Sequence, residues 1–561
     1  MKTKRFWVIA MSVVLAIQIA AIVIFNFTRI RYVGGFDPSA AMAQAMEIWN
    51  QKTIFLKNWD YQATLGLDSI LIPASLFYGI TKNIYVAYAM ANCLALALYI
   101  YVFRDVLKQL QVAMVYRLFA YIVLLTPYSL EPLGYMPMMF TNAAYYVMKV
   151  LIPVMLIDIL LKIYRGISLK KFVPILIICG VYLFLTGFSC GLYLFICGLL
   201  PLIFHELWKV LRSGDIKTIY NKRMLVLLVG VGIFGLGLIV SKLYGQGSYT
   251  SGMMLTTATD FVDNFFKCFI GVAELFGALP YRQIGVISIY GMNYLSHLAA
   301  LILFVFFAGY AVRRYLVKRT CLQMQGNSAE KYISDLDGNV QDGNARDEIE
   351  KLNQWKSTAI AMCLYVVAFN FLVLILTNTT YGSDTFEFRY HLIPMMASVV
   401  PVAIGLSEFV QMLKARGNML AVHTTLAVVL LVWCMSNCSF AYYYTNNNSF
   451  YDTSEEVLKV IDSETDCKRV YFIGDDDFVI GTSRAARLRS DYEITDGYAF
   501  GSYSGWGTTT KYNQDAEDIK QIVIVSTEEI YETLDAEVKN CMSLIGTVDM
   551  LQIYEYRQVG R

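Results

Sequence analysis

Long apolar runs are the feature that most restricts the fold of this 561-residue chain. A helix that crosses about 30 Å of hydrocarbon needs roughly 20 apolar residues. The run 6–27 has that length and follows directly on Lys2, Lys4 and Arg5. Such a start resembles a signal peptide, but the run is too long for one and no small-residue cleavage pattern follows it. We therefore expect residues 6–27 to form a membrane helix.

Ten further apolar runs follow, which brings the expected number of spans to about eleven. They cover residues 84–103, 112–130, 143–161, 172–187, 192–204, 224–241, 294–312, 359–376, 391–409 and 419–434. The composition agrees, since 57% of the residues are hydrophobic and only 16% are charged. Lys plus Arg number 46 against 44 for Asp plus Glu, so the chain lacks the basic character of a nucleic-acid-binding protein. The expected fold class is mainly α, a polytopic bundle of transmembrane helices.

Lys and Arg set the expected orientation, because translocated loops are poor in them. They cluster in the connections at 104–108, 162–171, 209–223 and 414–416. These connections and the N-terminus are therefore expected in the cytoplasm. The polar segment 313–356, rich in Asp, Asn and Gly, becomes a mobile cytoplasmic loop. An odd number of spans puts the C-terminus outside the cell membrane.

Two outer segments are too long to be plain connectors. In the first, 28–83, Met42, Met46 and Trp49 recur at helical spacing, and an apolar run at 67–80 is too short to span. Both are expected to lie as helices in the membrane interface. The second, 245–293, contains a similar stripe of Phe residues at 261, 265, 266 and 269.

The C-terminal segment, 449–561, has a different composition from the transmembrane domain of residues 1–440. It contains short β-branched runs at 470–473 and 522–525, a helix-like stretch at 528–540 and a possible final strand at 551–556. We expect a small extracytoplasmic α/β domain. Its Cys467 and Cys541 could form a disulfide in an oxidising compartment, but sequence alone does not establish the pairing.

Asp37 follows the first span and directly precedes Pro38. Asp before Pro at the start of a helix suits an N-cap, in which the carboxylate accepts backbone N–H groups. A carboxylate this close to the membrane surface also suits a general base that takes a proton from an acceptor hydroxyl. The local spacing leaves both interpretations open.

A second candidate group, Trp59, Asp60 and Tyr61, lies later in the same loop. The two aromatic rings suit stacking on a sugar and Asp60 suits binding of its hydroxyls, although interfacial aromatic residues are common without a ligand. Two other acidic residues in this loop have structural interpretations: Asp68 as a cap of the helix that follows it, and Glu47 on the polar face of its own helix.

The third candidate group is Glu387, Arg389, Tyr390 and His391, at the outer entry to the span 391–409. The guanidinium of Arg389 suits a bidentate grip on a phosphate, and the alternative is snorkelling to lipid headgroups. His391 suits a hydrogen bond to the same phosphate. A metal-ligand role is not expected for it, because the chain has only 4 His and no second one at ligand spacing.

Other motifs exclude several functions. No Gly-rich nucleotide signature follows a strand and opens a helix, which argues against a nucleotide-driven pump. The chain has no G-x-S-x-G elbow and no H-E-x-x-H motif of a hydrolase. The acidic run Asp475-Asp476-Asp477 suits either a solvated loop or a metal or acceptor site, and His205-Glu206 is interpreted as a solvated helix end.

The arrangement resembles the GT-C superfamily of integral-membrane glycosyltransferases, which includes the protein O-mannosyltransferases and the aminoarabinose transferases. The resemblance covers most of the chain. It consists of Asp37 just beyond the first span, a long first outer loop with interfacial helices, Arg389-Tyr390-His391-Leu392-Ile393-Pro394 at the entry to a late span, and an outer C-terminal domain.

The resemblance implies that a sugar leaves a polyprenyl-phosphate donor as an acceptor hydroxyl attacks and inverts the anomeric carbon. By position, Asp37 corresponds to the general base and Arg389 to the donor-phosphate ligand. The acceptor is a glycan, a lipid or a protein. Pro38 stands where many family members have a second acidic residue, so a paired role would fall to Glu47 or Asp60. No cofactor is expected. The metal-dependent branch has its Trp-Trp-Asp motif in the soluble domain, whereas Trp59-Asp60-Tyr61 of this chain lies in the first outer loop.

Two other functions remain open. A lipid-linked saccharide flippase would have ionisable residues deep within its spans or broken helices in matched halves. A cell-envelope polysaccharide polymerase would have catalytic Arg and His residues in its middle outer loops. The loop 245–293 offers only Arg282 and Lys267.

Overall fold

A computed structural model describes most of the chain. The described residues are 2–33, 36–56, 65–128, 134–214, 221–243, 255–280, 283–317, 343–377, 388–439, 449–474, 477–489, 492–495, 497–499, 502–504 and 521–557. For a few of these, Asp37 among them, only the backbone is described.

Long apolar helices dominate the fold, and nine in the described ranges are long and apolar enough to cross a membrane. They are α1 (Lys2–Thr28), α4 (Ile84–Gln109), α8 (Val173–Phe188), a broken helix of α9 (Leu192–Leu194) and α10 (Leu200–Ser213), α11 (Lys222–Leu243), α13 (Ile289–Val312), α14 (Gly343–Leu376), α15 (Leu392–Ala415) and α16 (Met419–Ser436). A π-helical turn, Phe195–Leu199, joins α9 to α10. The predicted multi-pass membrane fold is confirmed.

The remaining predicted spans also contain helices. Run 112–130 forms the 12-residue α5 (Met114–Leu125), and run 143–161 forms α7 (Val147–Tyr164), which contains Pro153 and several charged residues. The number of spans stays a prediction. A short helix, α6 (Tyr135–Met139), lies between α5 and α7 in the chain.

Helices are present where interfacial helices were predicted, and their position in the membrane interface stays a prediction. α2 (Phe36–Gln51) buries Met42 and Met46, α3 (Leu71–Thr81) follows it, and α12 (Ala258–Leu275) exposes its Phe stripe. The predicted loop 313–356 is wrong at both described ends: a π-helical turn, Arg313–Val317, extends α13, and α14 already begins at Gly343. Glu, Lys and Gln are good helix formers, so they continue the helix beyond its apolar part.

The bundle is joined at one end by buried carboxylates. Asp158, Glu206 and Glu408 lie in the last two turns of α7, α10 and α15, and each contacts a cationic side chain. The ion pairs are Lys162 with Asp158 (2.6 Å) and with Asp105, Arg223 (2.8 Å) and Lys209 (3.3 Å) with Glu206, and Lys356 (2.8 Å) and Arg314 (2.9 Å) with Glu408. This is the end that the positive-inside pattern predicts to be cytoplasmic, and the orientation stays a prediction.

One of these clusters corrects a prediction. His205 and Glu206 are buried, 3% and 1% exposed, rather than a solvated helix end. The sequence places them beside charged residues, but Arg223 at the start of α11 folds back onto Glu206 and neutralises it. Burial of an ion pair of this kind depends on a partner that local sequence does not reveal.

The C-terminal segment forms a five-stranded sheet of order β2-β1-β5-β7-β6 and a separate hairpin, β3-β4. The strands are β1 (Arg469–Phe472), β2 (Glu493–Thr495), β3 (Gly497–Ala499), β4 (Ser502–Ser504), β5 (Gln521–Thr527), β6 (Met542–Val548) and β7 (Leu551–Arg557). β2, β1 and β5 are parallel, and β7 is antiparallel to both β5 and β6. The predicted strands are confirmed, and β1 and β5 are buried on both faces as parallel strands usually are.

Helices cover both faces of this sheet. α17 (Ser449–Glu464) and α18 (Asp477–Arg487) pack on one face, and α19 (Glu528–Thr533) packs on the other. The predicted helix 528–540 is broken, because α20 (Ala536–Lys539) starts anew after Asp535. Cys467 and Cys541 are not bridged to each other.

Replacing Glu408 with Gln is expected to destabilise the protein strongly. The change leaves Lys356 and Arg314 without their buried counter-charge, and breaking a buried pair in this way typically costs about 3–5 kcal/mol. The apparent melting temperature in detergent measures the effect. As the control, Glu532→Gln removes an exposed pair with Lys539, worth roughly 1 kcal/mol or less. Equal melting temperatures for the two variants would contradict the structural role of Glu408.

Candidate active site

The end of the bundle opposite the buried ion pairs contains those predicted site residues that the structure describes, Asp37, Arg389, Tyr390 and His391. Asp37 belongs to the first turn of α2, which begins one residue earlier at Phe36, and its side chain is outside what the structure describes. Trp59, Asp60, Tyr61 and Glu387 also lie outside the described residues. Their roles stay predictions.

Asp68 is a fully buried carboxylate and does not cap a helix, which corrects the prediction for it. The N-cap of α3 is Ile70, which makes no side-chain cap hydrogen bond. Asp68 instead forms an ion pair with Lys149 of α7, with 3.4 Å between Oδ1 and Nζ. Burial raises the pKa of the Asp68 carboxyl, and the neighbouring Lys149 ammonium opposes this rise. The sequence spacing before a helix is the same for a cap and for a buried acid, so it could not separate them.

Gly191 keeps the space beside Asp68 open. A Cβ atom at this position would lie 3.2 Å from Oδ2 of Asp68 and 2.6 Å from the Thr186 methyl carbon. The Asp68 carboxylate therefore lies close to the backbone of Gly191, a residue without a side chain in the connection between α8 and α9. The first outer loop and the start of the broken helix at Leu192 are thus neighbours.

The segment Gly191–Tyr193 connects the Asp68–Lys149 pair to Arg389. The Lys149 ammonium lies 5.3 Å from the ring centroid of Tyr146. Gly191, whose backbone lies beside the Asp68 carboxylate, is two residues before Tyr193 on α9, which packs on α7. The Tyr193 hydroxyl donates to the backbone carbonyl of Tyr390 (2.7 Å). The Arg389 guanidinium lies 5.4 Å from the Tyr390 ring centroid. The structure thus connects Asp68 and Lys149 to the predicted Arg389 group through the short segment from Gly191 to Tyr193.

Several polar side chains next to Tyr193 and Tyr390 are buried or half-buried. Asn370 of α14 donates from Nδ2 to the Tyr193 hydroxyl (3.0 Å). His391 is 1% exposed and its ring centroid lies 5.6 Å from that of Phe371. Within the described ranges, neither His391 nitrogen has a hydrogen-bond partner. A buried polar atom without a partner typically costs about 1–3 kcal/mol, and such groups are common where a polar ligand binds.

The sequence analysis missed Lys149, Tyr193 and Asn370. A signal for Lys149 was present, because an ionisable residue inside an apolar run is functional by default. Asn370 is a polar residue inside the predicted span 359–376, which is a weaker signal of the same kind. Tyr193 is one of 40 tyrosines and had no distinguishing pattern.

The arrangement suits an anionic ligand. Lys149 and Arg389 supply two cationic groups, and the aromatic rings between them provide a low-dielectric wall in which charge interactions are stronger than in water. Within the described ranges, no group of three or more His, Cys, Asp or Glu could hold a metal ion. Independence from metal stays a prediction.

Replacing Lys149 with Met is expected to make stability depend on pH. Without the ammonium, the folded-state pKa of Asp68 rises further above its unfolded value. A group with a raised folded pKa stabilises the fold at low pH, and this contribution is lost as the pH rises through the folded pKa. The melting temperature of Lys149→Met, relative to wild type, should therefore be lower at a pH well above the ordinary carboxyl pKa of about 4 than at a pH below it.

The double variant Asp68→Asn/Lys149→Met tests the cause of this pH dependence. It removes the carboxyl, so the difference in melting temperature between the two pH values should shrink to the difference that the wild type shows. If the single and double variants respond to pH alike, Asp68 is not the group that titrates.

Comparison with known proteins supports the fold. No family model and no curated protein sequence matches the chain. The crystal structure of apo ArnT from Cupriavidus metallidurans is similar over 99% of this chain and 98% of that chain, with a TM-score of 0.52 and 10% identity. The structure of ArnT bound to undecaprenyl phosphate covers 97% of each chain, with a TM-score of 0.48 and 10% identity. The predicted GT-C-like fold is confirmed by the apo structure.

Proposed function

We propose that this chain, which shares the GT-C-like fold of ArnT, is a membrane glycosyltransferase that uses a polyprenyl-phosphate sugar as donor. The observation that carries the proposal is the line of contacts from Asp68 and Lys149 through the Gly191–Tyr193 segment to Tyr390 and Arg389. It groups two cations at one end of an apolar bundle. A lipid-linked sugar has its phosphate at the membrane surface and its prenyl tail in hydrocarbon, which matches this combination.

Lys149 and Arg389 act on the leaving group. Cleavage of the bond between the sugar and the phosphate leaves the bonding electron pair on the phosphate oxygen, so negative charge grows there in the transition state. Cationic donors fixed at that position stabilise the developing charge more than they stabilise the ground state. Arg389 offers a planar two-point contact and Lys149 a point charge.

Asp68 is a positioning residue in this proposal. Its carboxylate holds the Lys149 ammonium from the protein side, so that the cation's position is fixed before the donor binds. Tyr193 has a similar effect on the other cation, because it holds the backbone of Tyr390 beside Arg389. Neither group needs to contact the sugar.

Asp37 is the proposed general base, a role that rests on the GT-C resemblance. It would take the proton of the acceptor hydroxyl as that oxygen attacks the anomeric carbon from the side opposite the phosphate, which inverts the configuration. Trp59, Asp60, Tyr61 and Glu387 are proposed contacts of the sugar or acceptor. We propose that none of these steps requires a metal.

The proposed carrier is a polyprenyl phosphate at the outer leaflet. ArnT has been solved with undecaprenyl phosphate bound, and the two cations of this chain are our reason for proposing a carrier of that chemical class here. The proposed topology has a cytoplasmic N-terminus and an extracytoplasmic C-terminal domain, with a glycan, lipid or protein as acceptor. The buried carboxylates Asp158, Glu206 and Glu408 are already paired with cations at the opposite end, so they do not favour a transport pathway.

Replacing Asp37 with Asn is expected to abolish sugar transfer and leave folding intact. Purified protein in nanodiscs, given a panel of polyprenyl-phosphate sugars, would be assayed by mass spectrometry of the products. General-base groups typically contribute about 10²–10⁴-fold to the rate. Asn remains a good helix-start residue, so a structural role alone would leave turnover near wild type and would disprove the assignment.

Replacing Arg389 with Gln, and separately Lys149 with Gln, is expected to lower kcat by about 10²-fold each, the usual effect of losing one donor to a developing oxyanion. Arg389→Lys should recover only part of the loss, because it keeps the charge without the two-point contact. Arg416→Gln, at the other end of α15, is the matched control. Unchanged kcat in both Gln variants would disprove the phosphate assignment.

A further inference from the structure

Two lysines lie beside one indole ring on the interfacial helices. The Lys52 ammonium is 3.3 Å from the ring centroid of Trp49, and the Lys82 ammonium is 5.3 Å from the same centroid. Lys52 follows the end of α2 and Lys82 follows the end of α3. Residues 30 positions apart in sequence are thus brought to one place by the packing of α2 on α3.

The backbone at both lysines is in the left-handed region. Each has a φ of 54°, a conformation that favours Gly and that other residues adopt at a cost. The αL conformation at Lys82 ends α3, and its N–H bonds to the carbonyl of Tyr78. Two helices thus end in an unfavourable backbone conformation at lysines that lie beside the same ring. Backbone strain of this kind, repeated at one place, indicates a functional constraint on these two lysines.

Gly79 allows the ring to lie where it does. A Cβ atom at this position would lie 2.4–2.5 Å from three atoms of the Trp49 ring. The indole is therefore pressed against the backbone of α3, and its position is fixed. Its negative face attracts the lysines, which offsets part of their mutual repulsion.

Within the described ranges, no carboxylate neutralises these two lysines, since neither ammonium has an acidic partner within 4.0 Å. The buried Lys162 and Lys356 at the opposite end of the bundle each have one. The side of the membrane to which the topology assigns α2 and α3 is normally poor in Lys. A pair of unneutralised cations there is ready for an anion.

The surroundings of the lysines identify the source of that anion. Ile54 lies two residues after Lys52 and is 36% exposed, and Ile80 lies two residues before Lys82 and is 77% exposed. Leu76, one turn earlier on α3, is 57% exposed. Exposed apolar side chains next to the lysines belong in hydrocarbon, so the ammonium groups lie at the level of the lipid phosphates.

We propose that Lys52 and Lys82, held beside Trp49, form a binding site for the phosphate of an anionic membrane-lipid headgroup. The site is separate from the line of contacts between Asp68 and Arg389 and does not depend on the proposed transferase activity. A phosphate between two ammonium groups relieves their repulsion, so binding requires both lysines together. Zwitterionic lipids bind less well, because their own cation competes for the phosphate.

Fluorescence of Trp49 tests the proposal in the full-length protein in detergent. Short-chain phosphatidylglycerol is titrated in, and the signal of Trp49→Phe is subtracted to isolate this ring from the other tryptophans. A saturable change is expected, together with a loss of affinity of about tenfold or more in Lys52→Gln/Lys82→Gln. Lys170→Gln/Lys171→Gln, two exposed lysines on a short helix elsewhere, is the matched control and should bind as wild type does.

Three outcomes would overturn the site. They are an equal response to short-chain phosphatidylcholine, an unchanged affinity in the double-lysine variant, and saturation by inorganic phosphate at the same concentration, which would make the ligand a soluble anion. Gly79→Ala supplies a test that keeps both charges, since it displaces the ring and should weaken binding. If that variant does not fold, the double-lysine variant still decides the matter.

Discussion

Carboxylates buried among cations at one end of the bundle are the interactions on which the remaining arrangement depends. Hydrocarbon offers no water to a charge, so Glu206 and Glu408 are tolerated only because neighbouring helices neutralise them. Each cluster therefore fixes which helices meet and at what height. With that end fixed, single hydrogen bonds are enough to align the other end, where Tyr193 meets the backbone of Tyr390.

The two ends differ in how their charges are used. At the ion-paired end, Glu206 and Glu408 have cations from neighbouring helices and Asp158 has Lys162 of its own helix, and the result is structural. At the site end, Lys149 has one buried acid and Arg389 lies half-buried beside an aromatic ring. Cations that neighbouring groups hold in position are what a transferase needs if its leaving group is a phosphate.

The fold was largely predictable from the sequence, and the site was predictable only in part. Apolar runs long enough to span and β-branched runs such as 522–525 have a local physical cause, so they were found. Burial of Asp68 and Glu206 depends on partners brought in by the fold, Lys149 and Arg223, and no local pattern contains that information. Arg389 was identified because it interrupts an outer segment that is otherwise poor in cations. Tyr193, which connects Arg389 to the Asp68–Lys149 pair, had no feature that distinguished it among the 40 tyrosines of the chain.

The π-helical turn Phe195–Leu199 gives the site an unusual dependence on chain length. A π turn accommodates one residue more than an α turn does, and each residue of an α-helix rotates its neighbours by about 100°. Removing any single residue from the turn would let the helix become regular and would swing Tyr193 away from Tyr390. A substitution in this turn therefore changes local packing only, whereas an insertion or deletion there would separate the two halves of the site in one step.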